Sequence, residues 1–266
     1  MGTTSINRKT FKGRHHATTV TIPRSVSSID NDAFDNCYLL TTFDVSNLNN
    51  DYCSIDGVLF NKEKTVLIRY PEGQNKNIKF PKSVTSIGKN TFHGCWKLTT
   101  MDIPEGVSSI GDSAFLDCNF MASITLPQSV TSIGSHAFSG CAILTNIKLP
   151  NKVTSIEAHA FSSCTGLTGV TLSENVTAIG DSAFFDCTRL TSLTLPKNVT
   201  SIGVNAFSKC KAMKTLKCQS STPPVVEGTY FDDNTIANVT LHVPKDAEEA
   251  YRQAPDWKEF KTITAF

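Results

Sequence analysis

The sequence lacks a surplus of either charge: 25 Lys and Arg stand against 24 Asp and Glu, a net charge of +1 in 266 residues. A protein that grips nucleic acid through its phosphates carries a basic surplus, so that partner class is set aside. Charged residues together are also few, 18 % against roughly 25 % in an average soluble domain. No run of about 18 apolar residues occurs, so no transmembrane helix is encoded. Residues 1–20 are polar and basic and hold no apolar signal segment. The expectation is an intracellular protein, or a fragment or mature form of a longer one. Gly-x-Ser-x-Gly, phosphate-loop and His-Glu-x-x-His words are missing, as is any close Cys-x-x-Cys pair for zinc. No enzyme, cofactor or metal is expected.

What fills the space is hydroxyl: 32 Thr and 26 Ser make about 22 % of the chain. Hydrophobic residues at 39 % still support a folded core. Nine cysteines are present, an odd number, so full intramolecular pairing is impossible.

Internal repeats dominate. The word Val-x-Ser-Ile-Gly-x-x-Ala-Phe-x-x-Cys places Phe at 34, 92, 115, 138, 161, 184 and 207 and Cys at 37, 95, 118, 141, 164, 187 and 210. From Cys95 on, each step is 23 residues; from Cys37 to Cys95 it is 58, which leaves about 12 extra residues in one coil. Between the words lie segments such as Leu190–Pro196, whose alternating apolar residues predict a strand that Pro ends. Val199–Ile202 predicts a second short extended piece, and Ala206–Cys210 a single helical or 3-10 turn pointing Phe and Cys inward. One unit cannot bury its apolar side alone, so the units must stack, with parallel strands and each repeat position forming a column.

The first word, Ser5–Arg14, starts in mid-repeat and has Arg14 where the column demands Cys. Either this degenerate turn caps the solenoid or coils were cut away upstream, and the second is the expectation. The long step, about residues 46–81, reads as a β-hairpin from Ser54–Phe60 through Asn61–Lys64 into Thr65–Tyr70, flanking a coil and rejoining the stack at Ile78. Met213–Cys218 is expected to be the last strand of the solenoid. Residues 219–266 differ in composition, with a strand at Leu241–Pro244, a helix at Lys245–Ala254 and aromatic bulk from Tyr251, Trp257 and Phe260. Residues 1–218 are therefore read as the solenoid and 219–266 as its C-terminal cap.

These words resemble the leucine-rich repeats of the Treponema pallidum type found in BspA-like surface proteins. The matching residues are the Leu/Ile strand positions, Pro127, Pro150, Ser132-Ile133-Gly134, Ala137-Phe138, Cys141 and their equivalents, over about residues 5–218. The word at Ser54–Phe60 and the tail Val243–Phe260 are similar to elements of bacterial members. The resemblance implies a leucine-rich repeat solenoid in a cell-surface or secreted protein that adheres to host or bacterial partners, matrix proteins included. The chain departs from the family pattern in showing no signal, lipid-anchor or wall-sorting segment.

The remaining chemistry reads blandly. The cysteine column is a row of buried thiols acting as small apolar fillers. His136 and His159 share one repeat position, where Asn90, Ser113, Ser182 and Asn205 also stand, so they should stack as exposed surface residues. Asn175, Asn198 and Asn238 begin glycosylation words but are turn residues of the repeat. Residues 1–100 hold 13 basic and 8 acidic residues and the remainder 12 and 16, a mild gradient. The polar alternates of the strands form two outward columns, whose candidate ligand-binding residues are Thr100, Ser123, Asn146 and Ser192, then Asp102, Thr125, Lys148, Thr171 and Thr194. That face holds no Trp, Tyr or Arg, the residues that concentrate in tight protein interfaces. The reading is a non-enzymatic binding module of an adhesin-like protein that contacts a protein or glycan. The alternatives are a structural spacer or an intracellular interaction scaffold.

Overall fold

Each 23-residue word makes one coil because its residues alternate between extended and turning chain. In Ser192–Leu195 every second side chain is buried, the period-2 pattern of a half-buried strand. Proline then turns the chain: the Val199 amide donates to the Pro196 carbonyl at 3.1 Å, and Val130 and Val153 do the same to Pro127 and Pro150. The second strand is only two residues, Ser201–Ile202. After it comes the phenylalanine turn, built around left-handed residues two before and two after the ring. The first set is Asn90, Ser113, His136, His159, Ser182 and Asn205, with φ from 52 to 57°. The second includes Asn36, Asp117, Asp186 and Gly140. Asn, Asp, His and Gly enter this region at least cost. That requirement selects the residue types at the histidine position, which is half-buried rather than exposed as expected.

The computed structural model describes residues 2–11 and 13–266. Met1 and Lys12, the latter within the first word, lie outside the described residues. The coils stack in parallel at a spacing of one repeat. Ser109–Ile110 pairs with Ser86–Ile87 on one side and Ser132–Ile133 on the other, and Ser192–Leu195 pairs with Thr215–Cys218. The phenylalanine turns form a third hydrogen-bonded ladder. The amides of Phe115, Phe138, Phe161 and Phe184 donate to the carbonyls of Ala137, Ala160, Ala183 and Ala206 at 2.8–2.9 Å. The fold is therefore a solenoid with backbone ladders on three sides.

Inside runs an aromatic column. Phe92, Phe115, Phe138, Phe161, Phe184 and Phe207 stack with centroids 4.7–6.0 Å apart and nearly parallel planes. All are buried. Each ring contributes about 1.5–3 kcal/mol by burial, and its offset contact with the next adds about 0.5–1.5 kcal/mol. The thiols run alongside as free cysteines. Cys118, Cys141, Cys164, Cys187 and Cys210 each donate from Sγ to the phenylalanine carbonyl of the preceding coil at 3.0–3.3 Å. The same carbonyl also accepts the amide of its own coil's cysteine. The side chain at this position is thus small and apolar but also a weak donor, more than the filler expected.

The long repeat departs from the expectation. Its first apolar run is broken at Asp56 and Gly57, both left-handed, giving Tyr52–Ile55 antiparallel to Val58–Asn61. The second hairpin brings in Val66–Arg69, antiparallel to Val58–Asn61. That strand does not flank the stack. It is a rung of it, pairing in parallel with Ser86–Ile87, so the chain rejoins at Leu67 rather than Ile78. Tyr70 then takes the aromatic position, 5.4 Å from Phe92. The pairing wins because a rung strand satisfies backbone groups that a flanking hairpin would leave open.

Met213–Cys218 is not the last strand either. Val225–Val226 pairs with Ser201–Ile202, Thr240–His242 with Thr215–Lys217, and Thr262–Ala265 with Thr240–Val243. Phe231 continues the column 5.2 Å from Phe207. The tail helix is Glu248–Gln253, with Glu248 and Glu249 in its first turn. It is shorter than Lys245–Ala254 because the Ala247 amide closes a turn onto Pro244. Trp257 lies buried, its Nε1 donating to the Pro224 carbonyl at 2.9 Å.

The interface between the coils of Phe138 and Phe161 is looser than its two neighbours. The glycine after each two-residue strand lets neighbouring backbones touch: a β-carbon at Gly134 would stand 2.5 Å from the Asp112 nitrogen. Glu157 occupies this position in the next coil. There the two-residue ladder ends: Ser132–Ile133 and Ser155–Ile156 belong to different sheets. Thr131 and Gly134 donate to the coil before them at 2.8 and 2.9 Å. Among the described residues, Thr154 and Glu157 have no such bonds. Hydrogen exchange should therefore be faster at the amides of Thr154 and Glu157 than at those of Thr131 and Gly134. Equal protection would contradict the looser interface at Glu157.

Candidate functional site

The strands Thr100–Asp102, Ser123–Thr125 and Asn146–Lys148 turn their middle residue inward and their outer residues to solvent; Gly169–Thr171 has Val170 half-buried and Thr171 exposed, and Ser192–Leu195 alternates exposed Ser192 and Thr194 with buried Leu193 and Leu195. Thr100 lies beside Ser123, and Asp102 beside Thr125. Asn146 lies beside Gly169, and Lys148 beside Thr171. Ser192 and Thr194 lie beside Thr215 and Lys217. All nine candidate residues are exposed and share one face. The face is not one continuous sheet. Ser123–Thr125 and Asn146–Lys148 are unpaired, as are Gly169–Thr171 and Ser192–Leu195.

At the second break the face sinks. A shallow depression of about 300 Å³ is lined by Asn146, Lys148, Gly169, Thr171, Ser192 and Thr194. Gly169 supplies no side chain to the outer column, and the Asn146 Oδ1 leans over it, 2.5 Å from where a β-carbon would sit. The lining offers one ammonium, one amide and three hydroxyls. Such a set hydrogen-bonds sugar hydroxyls or a peptide backbone. It contains no nucleophile paired with a base.

A second cluster escaped notice in the sequence. Arg69 and Glu72 are each only 2 % exposed. The Arg69 guanidinium donates to Glu72 Oε1 at 2.8 Å and to the Asn90 carbonyl at 2.6 Å, and meets Asp35 Oδ1 at 3.1 Å. His93 Nδ1 is also 3.1 Å from Asp35 Oδ1. Glu72 Oε1 accepts the Asn36 amide at 3.0 Å. These residues join three successive levels of the stack where the aromatic column is interrupted between Phe34 and Tyr70. Burial pushes the Glu72 carboxyl up to about 7, against the opposing pull of Arg69 and His93. Burial also acts to raise Asp35, but His93 and Arg69 outweigh it and hold that carboxyl below its ordinary value. The available sequence signal was a lone Arg in the apolar run Val66–Tyr70.

The remaining candidates stay structural. His136 and His159 stack with centroids 4.4 Å apart. Burial, then the charge of His159, lowers His136, with Asp112 opposing. Among the described residues no group of three or more His, Cys, Asp or Glu could hold a metal ion. Burial pushes the Cys37 thiol up to about 11 and that of Cys164 to about 12, which leaves these two protonated and weakly nucleophilic. The Asn175 and Asn198 amides donate to the carbonyls of Asn151 and Glu174, both at 2.8 Å, which ties them to the preceding coil. Among the described residues no helix is long and apolar enough to cross a membrane.

Comparison with known proteins adds the lineage. The family model described as "BspA type Leucine rich repeat region" matches in six copies, over residues 1–76, 69–189 and 132–250. A leucine-rich repeat protein from Eubacterium ventriosum is 28 % identical with a TM-score of 0.70, over 90 % of this chain and 61 % of that one. A leucine rich cell surface protein from Faecalibacterium prausnitzii is 29 % identical with a TM-score of 0.60, over 81 % and 51 %. A leucine-rich repeat protein from T. pallidum is 28 % identical with a TM-score of 0.53, over 70 % and 85 %. The chain thus spans less than two thirds of the length of the first two. No curated protein matches it.

The buried cluster sets a pH dependence. Glu72 takes up its proton more readily when folded than when unfolded. Its contribution to stability is therefore full below the unfolded carboxylate value and is lost as pH rises through about 7. Thermal denaturation should give a higher Tm at pH 5.5 than at pH 8, and Glu72→Gln should flatten that difference. A wild-type Tm that rises over this interval would contradict the assignment.

Proposed function

The chain belongs to the BspA-type leucine-rich repeat family, and on that premise we propose that it is a non-catalytic binding module of a cell-surface or secreted adhesin-like protein. The observation that carries this reading is the pair of outward columns held in register on one face, from Thr100 and Asp102 through Ser192 and Thr194. The ligand is a host or matrix protein, or a glycan. Its hydroxyl or backbone groups meet Ser and Thr side chains along the columns and settle in the depression at Gly169. The surface or secreted location is supported by the 29 % identity to the F. prausnitzii cell surface protein. A face without Trp, Tyr or Arg suits many weak contacts better than one tight one.

The same bareness favours a second reading, a spacer that projects another domain. The two separate in one experiment: the chain is applied to immobilised matrix proteins and to a glycan array. For a binding module, at least one surface retains it, and Asn146→Ala with Lys148→Ala weakens retention about tenfold, the value of one or two hydrogen bonds, at unchanged Tm. Retention indifferent to the paired change would remove the strand face from the mechanism. No retention anywhere would favour the spacer.

A further inference from the structure

A different edge of the solenoid, just after the cysteine of each coil, carries exposed apolar side chains. Tyr38, Leu39, Trp96, Phe120 and Ile143 all lie there, with Trp96 40 % and Phe120 56 % exposed. In later coils the same positions hold Thr165-Gly166, Thr188-Arg189 and Lys211-Ala212. The apolar edge is thus confined to the N-terminal half. It borders a cleft of about 480 Å³ lined by Tyr38, Glu72, His93, Gly94, Trp96 and Asp117.

The walls of this cleft are fixed. Trp96 Nε1 donates to the Tyr38 carbonyl at 3.3 Å, Tyr38 donates to Asn36 Oδ1 at 2.7 Å, and the His15 ring stacks on Tyr38 at 5.7 Å. Its floor is the Glu72 carboxylate. Arg69 and the Asn36 amide satisfy Oε1, but Oε2 is buried and has no hydrogen-bond partner among the described residues. Gly94 lies over that carboxylate and adds no side chain to the cleft: a β-carbon there would lie 3.5–3.7 Å from its three end atoms. Asp117 is exposed at the rim. A buried acceptor without a donor is costly unless something supplies one.

We propose that this cleft receives the arginine side chain of a partner polypeptide, whose flanking apolar residues pack along Trp96, Phe120 and Ile143. A guanidinium is flat enough to lie on an aromatic ring and offers several donors at once to Glu72 and Asp117. The Trp96 ring is already a seat for a cation, with Lys97 Nζ 4.7 Å from its centroid. An ammonium offers a point charge without the planar stack, so lysine is the poorer fit. Carboxylates beside an apolar edge are complementary to a basic residue among apolar ones, and this site stands apart from the strand face proposed above.

Trp96 reports the test, because the only other tryptophan, Trp257, is buried. The full chain is titrated with the peptide acetyl-Leu-Arg-Leu-amide while tryptophan fluorescence is followed. The neutral citrulline version and the lysine version serve as comparisons. The expected result is a saturable change with the arginine peptide, at least tenfold weaker with lysine and absent with citrulline. Gly94→Asn fills the cleft with a residue that the equivalent left-handed position, Asn36, already accepts. It and Asp117→Ser should each abolish the change at unchanged Tm, whereas Asn146→Ala with Lys148→Ala should leave it intact. An equal response to citrulline, full binding by Gly94→Asn, or no saturable response to arginine overturns the proposal.

Discussion

The structure depends on one contact repeated along its axis: a cysteine thiol donating to the phenylalanine carbonyl of the preceding coil while the two rings stack beside it. The left-handed residues on either side of each ring let the phenylalanine amides reach the next coil. The rings supply most of the gain, about 1.5–3 kcal/mol each. The thiol bond is worth less, and it decides which residue stands there. Valine would fill the space without a donor, and serine would bring a strongly hydrated hydroxyl into an apolar row. The period of 23 follows, because every coil must place ring and thiol at the same height.

Chemistry collects where that constraint lapses. The aromatic column is interrupted between Phe34 and Tyr70, and there the chain buries Arg69 and Glu72 and opens the cleft beside Trp96. The strand ladder stops between Gly169–Thr171 and Ser192–Leu195, and there the outer face sinks. Glu157 interrupts the two-residue ladder, while the phenylalanine ladder runs on across the same interface through Phe138 and Ala160. The outer strands Ser123–Thr125 and Asn146–Lys148 are unpaired at that interface too, so there the phenylalanine ladder holds the register.

The period, the Phe and Cys columns and the outward face were legible in the sequence because each is a property of one repeat position. The cluster of Arg69, Glu72, Asp35 and His93 was not. Its members come from three coils, and the inserted residues break the spacing that would have aligned them. The rung at Val66–Arg69 was hidden for a related reason: Tyr70 follows Leu67 by three positions, whereas Phe92 follows Ile87 by five. The last rungs, Val225–Val226 and Thr262–Ala265, lie in a tail whose composition no longer announces a repeat. Backbone pairing does not need the repeat word, only an open edge and a short extended segment.

The closed column is the central claim, and thiol counting tests it most directly. Of nine cysteines only Cys53 is half-buried; the other eight are buried. With a chromogenic disulfide reagent at mildly alkaline pH, no more than one thiol should react rapidly in the native protein, and all nine after unfolding in guanidinium. Rapid reaction of several native thiols would mean that the column is open and that the coils are not held by it.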